Sequence, residues 1–443
     1  MSDWKEYKLG ELATFYNGRA YKNGEFKTSG TPIVRIQNLT GEGKTVYSDL
    51  QLDENKYIEN GDLIYAWSAT FGPYIWRGGK SIYHYHIWKI VCNEGIIDKF
   101  YFYYKLKLIS DSLKDNGNGS IFVHITKSFM ENFKIKIPSL EKQKYISNIL
   151  SNLDKKIRFN TQINQTLEQI AQALFKSWFV DFDPVRGKVQ ALSDGLSLEQ
   201  AELAAMQVIS GKTLEELIAL SQTQPDRYAE LAETAKAFPC EMVEIDGSEV
   251  PKGWEVKELR SLMTIKRGGS PRPIKDFISD KGLNWVKISD ATAEDNPFLF
   301  STKEYIKSEG LSKTVLLKKG SLILSNSATP GLPIFLELDA CIHDGWLYFS
   351  DIKSLTQEYL YFFFLNIRND LVAQGNGSVF TNLKTDIVKA QKAIVPDERA
   401  IYYFDKQVKS IMNLIKYNTA NSISLKEIRD LLLPRLLNGE LNG

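Results

Sequence analysis

The tetrapeptide Gly-Asn-Gly-Ser stands at 117–120 and again at 375–378, and the surroundings of the two copies match in both directions. WKEYKLGEL (4–12) aligns with WEVKELRSL (254–262), GTPIVRIQNLT (30–40) with GLNWVKISDAT (282–292), and ENGDLIYAWSAT (59–70) with KKGSLILSNSAT (318–329). Further on, DKFYFYYKL (98–106) matches QEYLYFFFL (357–365), and Pro138 matches Pro396. The offset drifts only from 250 to 259, as small loop insertions cause. A chain of 443 residues is too long for one ordinary core. Self-similarity at this period means one domain used twice.

Within each repeat, short β-rich runs (32–36, 62–67 and 82–91 in the first) are broken by Gly, Asn and Asp turns. An aromatic helix-like stretch at 98–113 follows, and the alternating strand FKIKIP (133–138) closes the unit. After each domain a 4-3 spacing takes over. In the first it runs through Ile146, Leu150, Leu153, Ile157, Asn160, Asn164, Leu167, Ala171 and Leu174. Shifted by 258, it runs through Phe404, Val408, Ile411, Ile415, Asn418, Ser422, Leu425, Arg429 and Leu432. This is a coiled-coil signature, with Asn160 and Asn418 as polar core positions that fix register; two separate amphipathic surface helices are the plainer reading. The expected fold is α+β: two homologous mixed α/β domains separated by two long antiparallel coiled-coil helices, with approximate twofold symmetry. The expected parts are a first domain (1–140), a central helix (141–182), an acidic helical insert (183–250), a second domain (251–396) and a C-terminal helix (397–443).

Charge is informative once it is divided along the chain. Residues 182–250 hold thirteen carboxylates against five cations, about −8, which leaves about +9 for the remainder of a chain whose total is +1. A basic body suits an anionic partner such as nucleic acid. The opening MSDWKEYKLGEL is charged and has no apolar h-region, and three scattered cysteines suit a reduced, cytoplasmic setting. Catalytic motifs are missing. GEGKT (41–45) ends like a phosphate-binding loop, but Asn38 stands where its first glycine belongs and no helical pattern follows, so a hairpin turn is expected. His84 and His86 share one face of an expected strand near Cys92, without a sensibly spaced fourth zinc ligand. There is no dinucleotide-binding, nucleophile-elbow or metalloprotease motif, nor an element of the kind that holds a target amino group for methylation.

What remains is a two-domain basic module whose turns carry the residue types that touch phosphates and base edges. In the first repeat these are Arg19, Tyr21, Lys22, Arg35, Gln37, Asn38, Ser68, Thr70, His84 and His86. In the second they are Lys266, Arg267, Ser270, Arg272, Lys287, Ser289, Asp290, Asn326, Ser327, Thr329 and His343. The Gly-Asn-Gly-Ser copies add Asn118, Ser120, Asn376 and Ser378, and Lys127 and Lys384 follow them. An identical motif cannot read two different sequences, so these copies belong to framework or to a backbone contact. The repeats share Trp, Leu, Gly and Pro but differ at the polar turn positions, as two different half-site readers require.

The run after the first heptad helix, ALFKSWFVDFDPV (173–185), together with the domain–helix–domain–helix layout, resembles the specificity subunits of type I restriction-modification systems. The resemblance covers nearly the whole chain. It implies that each recognition domain reads one half of a bipartite duplex target, and that the helices set the spacer and dock two modification (methyltransferase) subunits. Those partners carry S-adenosylmethionine, and motor-nuclease subunits use ATP and Mg²⁺; this chain binds no cofactor and is not an enzyme by itself. It also assigns Trp178, Phe179, Phe182 and Pro184 to subunit docking or to packing at the helix end. The second helix ends LLLPRLLNGEL (431–441) without a WFVDFDP counterpart, which puts symmetric docking in doubt. The heptad span from 146 to 174 covers 29 positions, about 43 Å at 1.5 Å per residue. One DNA turn is about 34–36 Å, so the half-sites are expected somewhat over one turn apart. The alternatives are a DNA-binding adaptor of another phage-defence complex and, more remotely, a stand-alone nuclease or methyltransferase.

Overall fold

The computed structural model describes residues 4–41, 43–68, 70–115, 125–293, 296–374 and 382–441. The chain separates into two compact units, Met1–Phe159 with Ser422–Gly443, and Asn160–Asn421. Both boundaries fall inside the long helices, so each unit joins one repeat to a segment of each helix. No helix among the described residues is long and apolar enough to cross a membrane.

In the first unit, one sheet is antiparallel, ordered Ala13–Asn17, Ile87–Cys92, Leu63–Ala66, Gly72–Ile75. The other is mixed, ordered Val46–Ser48, Thr31–Val34, Ser81–Tyr83, Tyr57–Ile58, with its two central strands parallel. Leu63–Ala66 is buried at every residue, which explains its uninterrupted apolar run, whereas Lys134–Ile137 alternates as it pairs with Lys5–Lys8. The aromatic stretch is the helix Lys99–Asp115, which puts Tyr101, Phe102 and Tyr104 into a core with Phe15, Tyr65 and Trp88. Leu433, Leu436 and Leu437 of the C-terminal helix complete that core, and the buried Lys105 ammonium donates to the Leu437 carbonyl (2.9 Å).

The run expected as one strand over 82–91 is two strands. Ser81–Tyr83 belongs to the mixed sheet and Ile87–Cys92 to the antiparallel one. The chain changes sheets through a turn at 84–86, so His84 and His86 sit on that turn and not on one strand face. GEGKT lies in the connection between the antiparallel strands Thr31–Val34 and Val46–Ser48, a hairpin and not a phosphate loop.

The second unit repeats the topology with one more strand in each sheet. The first runs Thr264–Arg267, Trp346–Ser350, Leu322–Ser325, Pro333–Leu336, with Phe298–Leu299 added at the edge. The second runs Ile278–Ser279, Glu304–Ile306, Leu283–Val286, Ala340–Ile342, Val315–Leu317. The acidic insert is four helices (Asp183–Ser193, Leu198–Ser210, Leu214–Thr223, Pro225–Lys236) and a hairpin, Met242–Ile245 with Ser248–Pro251. Ser197 and Thr213 cap two of the helices, and Asp246-Gly247 makes the hairpin turn with positive φ at both residues. Ion pairing of Glu230 with Lys406 (2.8 Å) ties the insert to the C-terminal helix.

The heptad helices are Leu140–Phe179 and Glu398–Leu437, and every heptad position is buried or half-buried. In the second unit Asn160 donates to the Asn418 carbonyl (3.3 Å) and to Asn421 (3.1 Å). Asn418 donates to Asn164 (3.0 Å), and Asn164 to Thr419 (3.1 Å). In the first unit Arg429 pairs with Asp154 (2.7 Å), whose other oxygen accepts from the Tyr104 hydroxyl (2.6 Å). Partners that climb on one helix as they descend on the other make the pairing antiparallel. At the end of the first long helix stand Trp178, Phe179, Phe182 and Pro184. Their side chains are buried inside the second unit: Trp178 packs on Phe238, and Phe179 on Tyr359 and Phe404. Phe182 leaves the helix in the left-handed region, φ 56°, and turns its ring onto Trp254. They are core residues of the second unit.

Candidate nucleic-acid interface

The turn at 84–86 gathers most of the first repeat's candidates. Gly18 donates to the Ile87 carbonyl (3.1 Å) and Arg19 to that of Tyr83 (3.1 Å), which lays the segment after the first strand along the turn. Tyr21 stacks on His84, with ring centroids 6.4 Å apart, and the Arg19 guanidinium lies 5.2 Å from the Tyr21 ring while pairing with Glu25 (2.7 Å). His84, Tyr85 and His86 contact one another, and Trp67 packs on His86 (5.2 Å) and donates its indole N–H to the Tyr85 carbonyl (2.9 Å). Burial, then the charges of His86 and Arg35, pushes His84 down to about 4. At neutral pH it is therefore a neutral donor and acceptor and not a phosphate-binding cation.

Arg35 donates its backbone N–H to Asn38 Oδ1 (3.0 Å) and its guanidinium to the Lys44 carbonyl (2.8 Å), and Asn38 donates to Gly43 (3.0 Å). Asn38 thus holds the short helix Ile36–Leu39 in place, while Gln37 and Thr70 are exposed and Ser68 is half-buried next to Trp67. Lys22 is exposed, its backbone N–H held by Glu25 (2.7 Å). Lys127 lies on another element, the helix Lys127–Asn132, paired with Glu131 (3.5 Å).

In the second unit the corresponding turn, 343–345, is organised by Asp344. Its carboxylate accepts from the Ser270 hydroxyl (2.6 Å) and pairs with Arg272 (3.5 Å), and its carbonyl accepts from Arg267 Nε and from Asn326 (3.4 Å). The Ser270 hydrogen bond holds the Asp344 carboxyl below the usual carboxylate range, so it is ionised at neutral pH. His343 accepts from the Gly345 N–H (2.7 Å), and burial lowers its pKa. Lys287 pairs with Glu304, and its backbone N–H donates to Asp290 (2.9 Å) as Arg35 does to Asn38. Asp290 is buried in that capping role, so it corrects the expectation of a DNA contact. Thr329 donates to the Ser327 carbonyl (2.6 Å), and Asn326 accepts from the N–H of Leu383, the neighbour of Lys384. Lys266 is exposed on its strand, and Ser289 is exposed on the short helix Ile288–Thr292.

Asn118, Ser120, Asn376 and Ser378 lie outside the described residues. Trp67 and Tyr85, absent from the sequence-based candidates, are central to the first cluster. The repeat held the signal for Trp67, which occupies the place of Asn326: Trp67 N–H donates to His86 and Asn326 N–H to Gly345. Among the described residues no three His, Cys, Asp or Glu side chains are grouped to hold a metal ion.

Two clusters on one scaffold, one of flat rings and one of guanidinium groups around a carboxylate, can engage base edges and phosphates with different chemistry. The family model described as the type I restriction modification DNA specificity domain matches residues 1–169 and 251–431. The chain is 41% identical to the Type I restriction enzyme HindI specificity subunit of Haemophilus influenzae, over all of both chains. It is 24% identical to the MjaIX specificity subunit of Methanocaldococcus jannaschii, over 80% of this chain and 71% of that one. The crystal structure of a type I restriction-modification S subunit from M. genitalium superposes with a TM-score of 0.56 at 13% identity, covering 98% of this chain and 96% of that one.

Proposed function

The chain belongs to the type I restriction-modification DNA specificity family, and on that premise we propose that each of its units reads one half of a bipartite duplex target. It is the non-catalytic specificity subunit of an adenine-modifying, site-specific endonuclease complex. Modification subunits supply S-adenosylmethionine chemistry, and motor-nuclease subunits supply ATP- and Mg²⁺-dependent translocation and cleavage. The observation that carries this reading is the pair of corresponding turns, 84–86 and 343–345, held by the same backbone bonds and furnished with different side chains. In the first unit Arg19, Tyr21, Trp67, Tyr85 and His86 face the target; in the second, Arg267, Ser270, Arg272 and His343 do so, with Asn326 buried behind them. The paired helices set the spacer between the half-sites, and partner subunits dock on their exposed outer faces and not on the buried Trp178, Phe179, Phe182 and Pro184.

Mapping methyladenine across the genome of cells with and without this chain tests the reading. Methylation at one bipartite motif that disappears with the chain is the expected result, and an unchanged map refutes it. Removing one heptad from both helices shortens the preferred spacer; an unchanged spacer would sink the ruler function alone.

A further inference from the structure

The first unit holds a cavity of about 360 Å³ that the reading above does not use. It opens where the helix Lys99–Asp115 meets the two long helices, and its wall carries Arg77, Lys107, Lys155, Arg158 and Arg429 against the single carboxylate of Asp154. Arg429 is committed to Asp154 (2.7 Å) and to Asp430 (2.8 Å). Among the described residues, the other four cations have no carboxylate within ion-pair distance. Burial, then the positive charge of Arg429, holds the Lys107 ammonium below its ordinary pKa. Like charges gathered without counterions cost free energy that a bound anion returns.

The second repeat shows that this charge is not a demand of the fold. By strand register Arg77 corresponds to Glu337, and Glu337 pairs with Lys416 (2.7 Å), which stands at the position of Arg158. Lys107 is replaced by Asn366 and Lys155 by Asn413. The same corner is therefore self-neutralised in one unit and left strongly positive in the other. Most of the remaining wall is aromatic, from Tyr74, Phe100, Tyr103 and Tyr104, with Ile75, Ile157 and Ser151 completing it. Cations beside ring faces suit a ligand with a phosphate at one end and a flat ring at the other, and the volume lies in the range of small-ligand sites.

We infer that this corner of the first unit is a nucleotide phosphate site, with phosphate among Arg77, Lys107, Lys155 and Arg158 and a base against Tyr103 and Phe100. Free nucleotide and the backbone of a DNA strand present the same group, so the test has two arms. Calorimetry of the full-length chain with ATP in metal-free buffer is compared with the salt dependence of its binding to duplex DNA. The variants are Lys155→Ala with Arg158→Ala, and Arg77→Glu, which imitates the second repeat at an exposed position and keeps the test valid if the double variant misfolds. Loss of ATP binding by tenfold or more in both variants, with the DNA slope unchanged, identifies free nucleotide. A salt slope shallower by about two in the double variant identifies DNA backbone. ATP binding that is absent or indifferent to the substitutions, together with an unchanged slope, overturns the site.

Discussion

The turns at 84–86 and 343–345 are the same piece of backbone carrying opposite chemistry. In both, a glycine N–H bonds across the turn, Gly18 to Ile87 (3.1 Å) and Gly268 to Trp346 (2.9 Å), and a histidine with a lowered pKa opens the turn. A Cβ on Gly18 would sit 2.2 Å from the His84 carbonyl oxygen, and one on Gly268 would sit 2.4 Å from that of His343. Beyond these fixed points the units part. Tyr85, His86 and Trp67 make a surface of rings in one, where Asp344, Gly345 and Asn326 make a polar bracket for two arginines in the other. The difference teaches that the scaffold is held by backbone contacts, which leaves the projecting side chains free to change without unfolding the unit.

The comparison breaks most completely at the glycines. Gly18→Ala and Gly268→Ala each force backbone apart, with an expected cost of about 2–4 kcal/mol in the unit concerned. Each variant should abolish recognition of its own half-site and spare the other, measured by binding to targets scrambled in one half at a time. Next comes Asp344→Asn, which keeps the shape but removes the counter-charge of Arg272. Nonspecific DNA binding should tighten, with a salt slope steeper by up to about one, and discrimination in that half-site should fall by about 1–3 kcal/mol. Tyr85→Asn, at the corresponding place, should weaken its half-site and leave the salt slope alone.

Much of this architecture was legible in the sequence because repetition reveals what a single copy hides. The domain pair, the aromatic helices, the closing strands and the heptad helices with their asparagine layer all follow from pattern. The split of 82–91 was not legible: an apolar run interrupted by His-Tyr-His looks the same whether the chain stays in one sheet or changes to another. For the aromatic run at 178–182 the sequence did not separate docking from helix-end packing, because nothing local says that Phe182 adopts a left-handed conformation and folds the segment back onto Trp254. The candidate interface was half legible. Polar turn residues could be chosen by type, but Asn38 and Asp290 spend theirs on capping, and Trp67 is apolar yet lies in the cluster.

Acid sharpens the contrast more gently. His84 sits near 4 in the folded unit against 6.5 for the free group. As pH falls from about 6.5 toward 4, the unfolded chain takes up a proton that the folded unit refuses, so stability is full above that window and declines through it. His84→Gln should flatten the decline in a melting-temperature profile. His343→Gln should flatten it less, because the Asp344 carboxylate partly offsets burial and narrows the His343 shift.

The smallest effect is expected where the two units agree. Asn38 Oδ1 and Asp290 Oδ2 accept the same backbone N–H, from Arg35 at 3.0 Å and from Lys287 at 2.9 Å. Exchanging them, Asn38→Asp with Asp290→Asn, keeps an acceptor at both places. What changes is charge: the carboxylate leaves a buried site and appears at a half-buried one. Loss of a whole cap costs about 1 kcal/mol, so the exchange should move stability by less than that in chemical denaturation, and neither half-site preference should shift. A change of base preference in either half would mean that the cap side chains reach DNA themselves, and the boundary between shared scaffold and divergent tip would then lie one element deeper than the turns.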